Sequence, residues 1–207
     1  HAGAENECEV DIKWIHSEKL RVDNIEDNLS GLDGVFVAPG FGSRGIEGKI
    51  EAVQFARESG TPFLGICLGM QCAVIEYARN VLGWENAHST EISKRCEKPV
   101  IDLMEEQKSI TNLGGTMRLG SYACELKKGS NIANAYSTLE IEERHRHRFE
   151  FNSQYIEDFE SNGMIATGKN PETGLVEVVE IPEHPWFVGA QFHPEYKSTV
   201  ENPHPLF

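Results

Sequence analysis

The sequence predicts an α/β fold, a doubly wound, mostly parallel sheet with flanking helices, built as a single domain. Three observations predict it. The runs Gly34-Val35-Phe36-Val37-Ala38-Pro39 and Phe63-Leu64-Gly65-Ile66 are short and continuously apolar, as suits strands covered on both faces. Each leads through glycines into a segment with helical spacing of apolar residues, the strand–loop–helix order of doubly wound sheets. Further on, Leu175 to Ile181 and Trp186 to Phe192 are two apolar-rich strands joined by Pro182-Glu183-His184-Pro185.

Length and composition bound the function classes. The chain has 207 residues, 39% hydrophobic and 25% charged, which suits one soluble domain with a proper core. Its formal net charge of -14 argues against binding a nucleic-acid backbone or an anionic membrane. No apolar run approaches the roughly 20 residues needed to span a bilayer, and no signal-peptide pattern opens the chain. It begins at His1 without a methionine and is expected to be a piece of a longer polypeptide. The cysteines, Cys8, Cys67, Cys72, Cys96 and Cys124, are odd in number and irregularly spaced. That pattern fits a reducing compartment, the cytoplasm, rather than a disulfide framework or a metal site.

Taken in order, Glu9 to Ile15 alternates in part and is expected to form a strand. Ser17 to Leu32 is polar and without a period, a loop with one helical turn. The Gly34–Pro39 strand ends in the glycine-rich loop Pro39-Gly40-Phe41-Gly42-Ser43-Arg44-Gly45. A helix over 47–59 follows, with Ile50, Ala52, Val53 and Ala56 inward and Gly60 as its stop. After the strand Phe63–Ile66, the residues Met70, Ala73, Val74, Tyr77 and Val81 make one apolar helical face. Asn86 to Glu91 is expected to be a polar loop, Val100 to Met104 a strand, and Glu105 to Ser109 exposed. Leu113-Gly114-Gly115-Thr116-Met117-Arg118-Leu119-Gly120 reads as a hairpin turn in preference to a small-molecule loop.

Glu142-Glu143-Arg144-His145-Arg146-His147-Arg148-Phe149-Glu150 has the most unusual composition. On a strand, Arg144, Arg146 and Arg148 face one way and His145 and His147 the other. A histidine pair without a third ligand is a weak metal signal. Either the strand is solvated or salt-bridged, or one arginine captures a carboxylate in bidentate fashion.

The chain is organised around Gly65-Ile66-Cys67-Leu68-Gly69. A nucleophile between glycines at a strand-to-helix junction is the sulfur form of the nucleophile elbow, whose sharp turn excludes side chains two residues to either side. Backbone N–H groups at the helix start would lower the thiol pKa and stabilise an oxyanion. The competing reading of Cys67 is a small buried hydrophobe. Trp186–Phe192 delivers His193-Pro194-Glu195 at its end. In an α/β sheet Cys67 and His193 can meet at one edge, the histidine acting as base and Glu195 fixing its tautomer across the rigid Pro194. The competing readings are a packing histidine and a surface charge.

These two motifs resemble the class I glutamine amidotransferases, whose glutaminase domains use a Cys-His-Glu triad. Arg44-Gly45, Glu47-Gly48-Lys49, Ser89-Thr90-Glu91, the Gly114–Gly120 segment and the Glu142–Arg148 run are similar to members in which the glutaminase follows an ATP-dependent synthetase domain. The likeness runs from Lys13-Trp14-Ile15 to His204-Pro205-Leu206-Phe207. It implies Cys67 as nucleophile, His193 as base and Glu195 as its orienting acid. It implies an oxyanion hole from the N–H groups of Gly40 and Leu68, and a substrate site that includes Gly69, Met70 and Gln71. Gln71 and Arg148 would hold the α-carboxylate of L-glutamine and Glu91 its α-ammonium. At the oxyanion loop the family pattern has two glycines before the phenylalanine, and this chain has Pro39-Gly40-Phe41-Gly42.

The resemblance further implies no cofactor for residues 1–207 themselves. ATP, Mg2+ and UTP belong to the synthetase domain of the same polypeptide, GTP is an activator, and the whole enzyme is a homo-oligomer. No Gly-x-x-x-x-Gly-Lys-Ser/Thr phosphate loop occurs in this chain. Two alternatives stand beside this reading. One is another amidotransferase glutaminase or a γ-glutamyl hydrolase; the other is a catalytically silent regulatory or assembly domain.

Overall fold

The computed structural model describes residues 1–103 and 117–207. Met104, the Glu105–Ser109 segment and Leu113 to Thr116 of the second glycine-rich stretch lie outside the described residues. Short helices α1 (Ala2–Glu5) and α2 (Ile25–Leu29) precede strand β1 (Val35–Val37) and helix α3 (Ile46–Ser59). Strand β2 (Phe63–Ile66) runs into α4 (Leu68–Asn80), followed by β3 (Ala87–Ser89) and β4 (Lys98–Asp102). Then come β5 (Arg118–Leu126), α5 (Asn131–Tyr136), β6 (Glu140–His147), β7 (Glu150–Phe151) and α6 (Ile156–Ser161). Strands β8 (Ile165–Lys169), β9 (Val176–Glu180) and β10 (Phe187–Ala190) complete the set.

Among the described residues seven strands form the main sheet in the order β1-β2-β10-β9-β8-β5-β6, and β3-β4-β7 form a smaller one. The α/β class holds, but the sheet is mixed where a mostly parallel one was expected. Only β1, β2 and β10 run parallel; β9, β8, β5 and β6 follow antiparallel. The parallel block is the part fed by helices α3 and α4, and the tight turns downstream can join only antiparallel neighbours. The antiparallel end curls the sheet toward a half-barrel.

Helix α3 buries Ile50, Ala52, Val53 and Ala56 and stops at Gly60, whose φ of 73° is left-handed. Helix α4 is buried along nearly all its length, from Leu68 to Ala78, because it lies between the two sheets. Its inward side chains and those of β1 and β2 share one core with Phe63, Phe187 and Val179.

Four expectations are corrected. Glu9 to Ile15 is no strand: it has no ladder partner among the described residues, and Val10, Ile12 and Trp14 are exposed. Val81 lies past the end of α4 and is exposed. The polar Asn86–Glu91 stretch contains strand β3, whose Ala87 and Ser89 are buried against β4, a pairing too short to leave a period in the sequence. Arg118 to Gly120 opens the long strand β5 instead of a turn. The strand expected over Val100–Met104 is present as Lys98–Asp102.

Candidate active site

Parallel pairing fixes the site. Val37 of β1 lies beside Gly65 of β2, and Ala190 of β10 lies beside Ile66. The three segments leaving these strands carry Gly40, Cys67 and His193, so all three emerge at one carboxyl edge. The Cys67 N–H donates to Ala190 O at 2.7 Å, which ties the elbow to the strand that delivers His193.

Cys67 has φ 53° and ψ -102°, a conformation that costs a non-glycine residue about 1–3 kcal/mol. The flanking glycines make it possible. A Cβ on Gly65 would sit 2.6 Å from Gly69 C, and one on Gly69 would sit 2.1 Å from Val37 O. The first turn of α4 therefore lies directly against β1 and β2. A Cβ on Gly40 would come within 3.2 Å of a Leu68 methyl, so the loop after β1 closes onto the residue that follows Cys67.

His193 is buried, and its Nδ1 lies 2.6 Å from Glu195 Oε1. A 3-10 turn at Pro194–Tyr196 folds the carboxylate back onto the imidazole, and Tyr196 stacks on the ring at a 5.1 Å centroid distance. The other nitrogen, Nε2, is buried without a hydrogen-bond partner. Among the described residues no hydrogen bond joins it to Cys67 Sγ; such contacts commonly tighten only with substrate bound.

The expectation of a lowered thiol pKa is overturned. Burial pushes Cys67 up to about 12, and Glu150, Glu195 and Glu91 add to the rise, while the Leu68 N–H works the other way. The helix start is present, but a thiol at 2% exposure loses more by desolvation than one N–H restores. Cys67 is thus a thiol that needs a base. Cys72 is also pushed to about 12 by burial, and Cys124 is raised by the same cause. An unfolded thiol titrates near 8.5. Folded pKa values above the unfolded ones mean stability that is complete below pH 8.5 and lost as pH rises toward 12. Each thiol contributes about 1.4 kcal/mol per pH unit to that loss. With three such thiols the urea unfolding free energy is expected to be about 6 kcal/mol lower at pH 10 than at pH 8; a value that stays flat across this window contradicts it.

The remaining sequence-derived residues divide in two. Glu91 Oε1 accepts from the Gly42 N–H at 3.0 Å, which brings it to the Gly40 loop. Gln71 is buried in the second turn of α4, and its Nε2 donates to Phe149 O at 3.0 Å, next to Arg148. Arg148 follows the end of β6 and leaves the alternation in which Arg144 and Arg146 are exposed while His145 and His147 are buried. Met70 is different: its side chain is fully buried and packs toward Gly189, the core position its helical spacing gave. Gly69 lies against Val37 of β1. No group of three or more His, Cys, Asp or Glu that could hold a metal occurs among the described residues.

The glutamine amidotransferase class-I family profile matches residues 1–207. The chain belongs to that family. It is 63% identical to CTP synthase of Cytophaga hutchinsonii and 58% identical to CTP synthase of Clostridium acetobutylicum, over its full length. It spans 38% and 39% of those proteins. It superposes on the glutaminase domain of Trypanosoma brucei CTPS with bound acivicin at a TM-score of 0.92 and 38% identity, covering 98% of this chain and 80% of that one. A GMP synthase component from Thermoplasma acidophilum, at TM-score 0.60 and 17% identity over 93% of this chain and 75% of that one, shares the fold. Among the described residues no helix is long and apolar enough to cross a membrane.

Sequence reasoning missed the amidotransferase's buried polar residues behind the site. Arg118, Glu150, Glu177 and Gln191 are all nearly inaccessible. One signal was available. Glu177 stands inside Val176-Glu177-Val178-Val179, a strand buried on both faces, and a buried carboxylate there requires a partner.

Proposed function

We propose that residues 1–207 form the glutaminase domain of a CTP synthase, hydrolysing L-glutamine and passing ammonia to a synthetase domain of the same polypeptide. The observation that supports this most is the Cys67 elbow at the sheet edge where the His193–Glu195 pair also ends. In this reading His193 Nε2 takes the Cys67 proton, which a thiol raised by burial does not release unaided. The sulfur attacks the side-chain amide carbon of glutamine, and the oxyanion forms between the N–H groups of Gly40 and Leu68. The imidazolium, stabilised by Glu195, protonates the departing ammonia. Water, deprotonated by His193, then hydrolyses the γ-glutamyl thioester and returns the thiol.

Gln71 and Arg148 hold the α-carboxylate and Glu91 the α-ammonium, so a zwitterion is gripped at the end away from the reacting amide. Backbone groups of Gly69 and Met70 line the same pocket. ATP, Mg2+ and UTP are used by the synthetase domain to aminate UTP, with GTP as activator, and the whole enzyme works as a homo-oligomer in the cytoplasm.

Intact-mass labelling with 6-diazo-5-oxo-L-norleucine tests the reading. A single adduct on Cys67, blocked by excess glutamine, is expected, together with ammonia release from glutamine in preference to γ-glutamyl peptides. Labelling of several cysteines without glutamine protection, or faster turnover of the peptides, counts against it.

A further inference from the structure

The buried polar residues behind the site form a closed circuit. Gln71 Nε2 reaches Gln191 Oε1 at 3.3 Å as well as Phe149 O. The Gln191 N–H donates to Glu177 O at 2.8 Å. Glu177 Oε1 lies 2.7 Å from Arg118 Nη2, and Arg118 Nη1 lies 3.5 Å from Glu150 Oε1. Glu150 is the neighbour of Phe149, so the path returns to Gln71. His145 and His147 brace the circuit from β6: they are hydrogen-bonded to each other at 2.8 Å, with His145 3.5 Å from Glu177 and His147 3.4 Å from Glu150. The Arg118 guanidinium also lies over the Tyr122 ring, 4.3 Å from its centroid.

Arg118, Glu150 and Glu177 are at most 7% exposed. Removing such charges from water costs several kcal/mol per ion, and well-packed apolar residues often serve stability as well or better. The circuit is therefore poorly explained as a source of stability. Its location suggests another role. Strand β6 ends at His147 and β7 begins at Glu150. Arg148 and Phe149 are held between two residues whose side chains are both anchored in the circuit.

We propose that Arg118, Glu150 and Glu177 are positioning residues for the substrate-carboxylate end of the site, holding the Arg148–Phe149 segment and the Gln71 amide in a fixed mutual geometry. This rests on the reading that Arg148 and Gln71 grip the α-carboxylate of glutamine. The guanidinium fork spans the two carboxylates, one from β9 and one from β7, and so ties the strand beside β10 to the Arg148 segment.

The test uses the full-length polypeptide and compares Arg118→Lys with the charge-balanced pair Arg118→Met/Glu177→Leu. Lysine keeps the charge but offers no planar fork. Arg118→Lys and the paired variant are expected to raise KM for glutamine at least tenfold and to slow labelling by 6-diazo-5-oxo-L-norleucine in parallel. Their kcat is expected to fall less than threefold and iodoacetamide alkylation of Cys67 to stay at the parental rate. A parental KM in folded Arg118→Lys overturns the inference. So does a fall in kcat and iodoacetamide reactivity alongside KM, which marks general structural support. A parent that neither releases ammonia from glutamine nor labels at Cys67 overturns the glutaminase reading instead.

Discussion

Cys67→Ala is expected to reduce glutamine hydrolysis by about 10⁵–10⁶-fold, the loss seen when a covalent nucleophile is removed and only binding and the oxyanion site remain. On the proposed reading of the full-length polypeptide as a CTP synthase, CTP formation from added ammonium salts should continue. The side chain lost is small and buried, and alanine adopts the φ of 53° with no more strain than cysteine. The fold should therefore survive, and the variant's unfolding midpoint should stay close to the parent's. Ammonia release from glutamine, followed by a coupled assay, gives the direct measurement. Residual hydrolysis above a thousandth of the parental rate in a folded Cys67→Ala protein would assign the chemistry to another group.

Gly69→Ala is expected to have the largest effect on stability. Alanine is favoured over glycine inside a helix by about 1 kcal/mol. Against that gain stands a Cβ placed 2.1 Å from Val37 O, where no flexible side chain is available to move. The carbonyl belongs to β1, whose Val37 is paired with Gly65 of β2. Relief therefore requires α4 to lift off the parallel block, opening a core that includes Met70, Ala73 and Val37. A cost of about 4 kcal/mol or more follows, since overpacking against backbone exceeds what side-chain rearrangement absorbs. Thermal unfolding followed by circular dichroism would register it. A midpoint within about 3 °C of the parent, the shift that only about 1 kcal/mol produces in a domain of this size, would mean that the helix start does not seat against β1 as described.

Much of this was legible in the sequence because it depends on local chemistry. Two glycines at fixed offsets from Cys67 and an apolar run before them specify a strand, a sharp turn and a buried helix. His193-Pro194-Glu195 specifies a short turn that returns a carboxylate to an imidazole, found here at 2.6 Å. The helix expected over 47–59, which forms as Ile46–Ser59, and its glycine stop follow from spacing. The alternation in Glu140–His147 separated the histidines from Arg144 and Arg146, and the burial pattern along β6 follows it.

What the tertiary structure decided depends on residues far apart in the chain. The sequence shows that Glu177 is a charge within an apolar strand; only the fold supplies Arg118 as its partner, 59 positions earlier by number (177 − 118) and across a curled sheet. The sequence placed Cys67 at a helix start and so suggested an acidic thiol. The fold buried that thiol among Glu150, Glu195 and Glu91 and reversed the direction of its pKa shift, because desolvation depends on everything packed around a group and not on its neighbours in the chain. Strand direction was decided in the same way. Periodicity identifies a strand and its buried faces, whereas parallel or antiparallel pairing depends on which connection returns the chain to the sheet. Local residue chemistry is written in the order of the amino acids; dielectric environment, ion-pair partners and strand orientation arise only when distant segments are brought into contact.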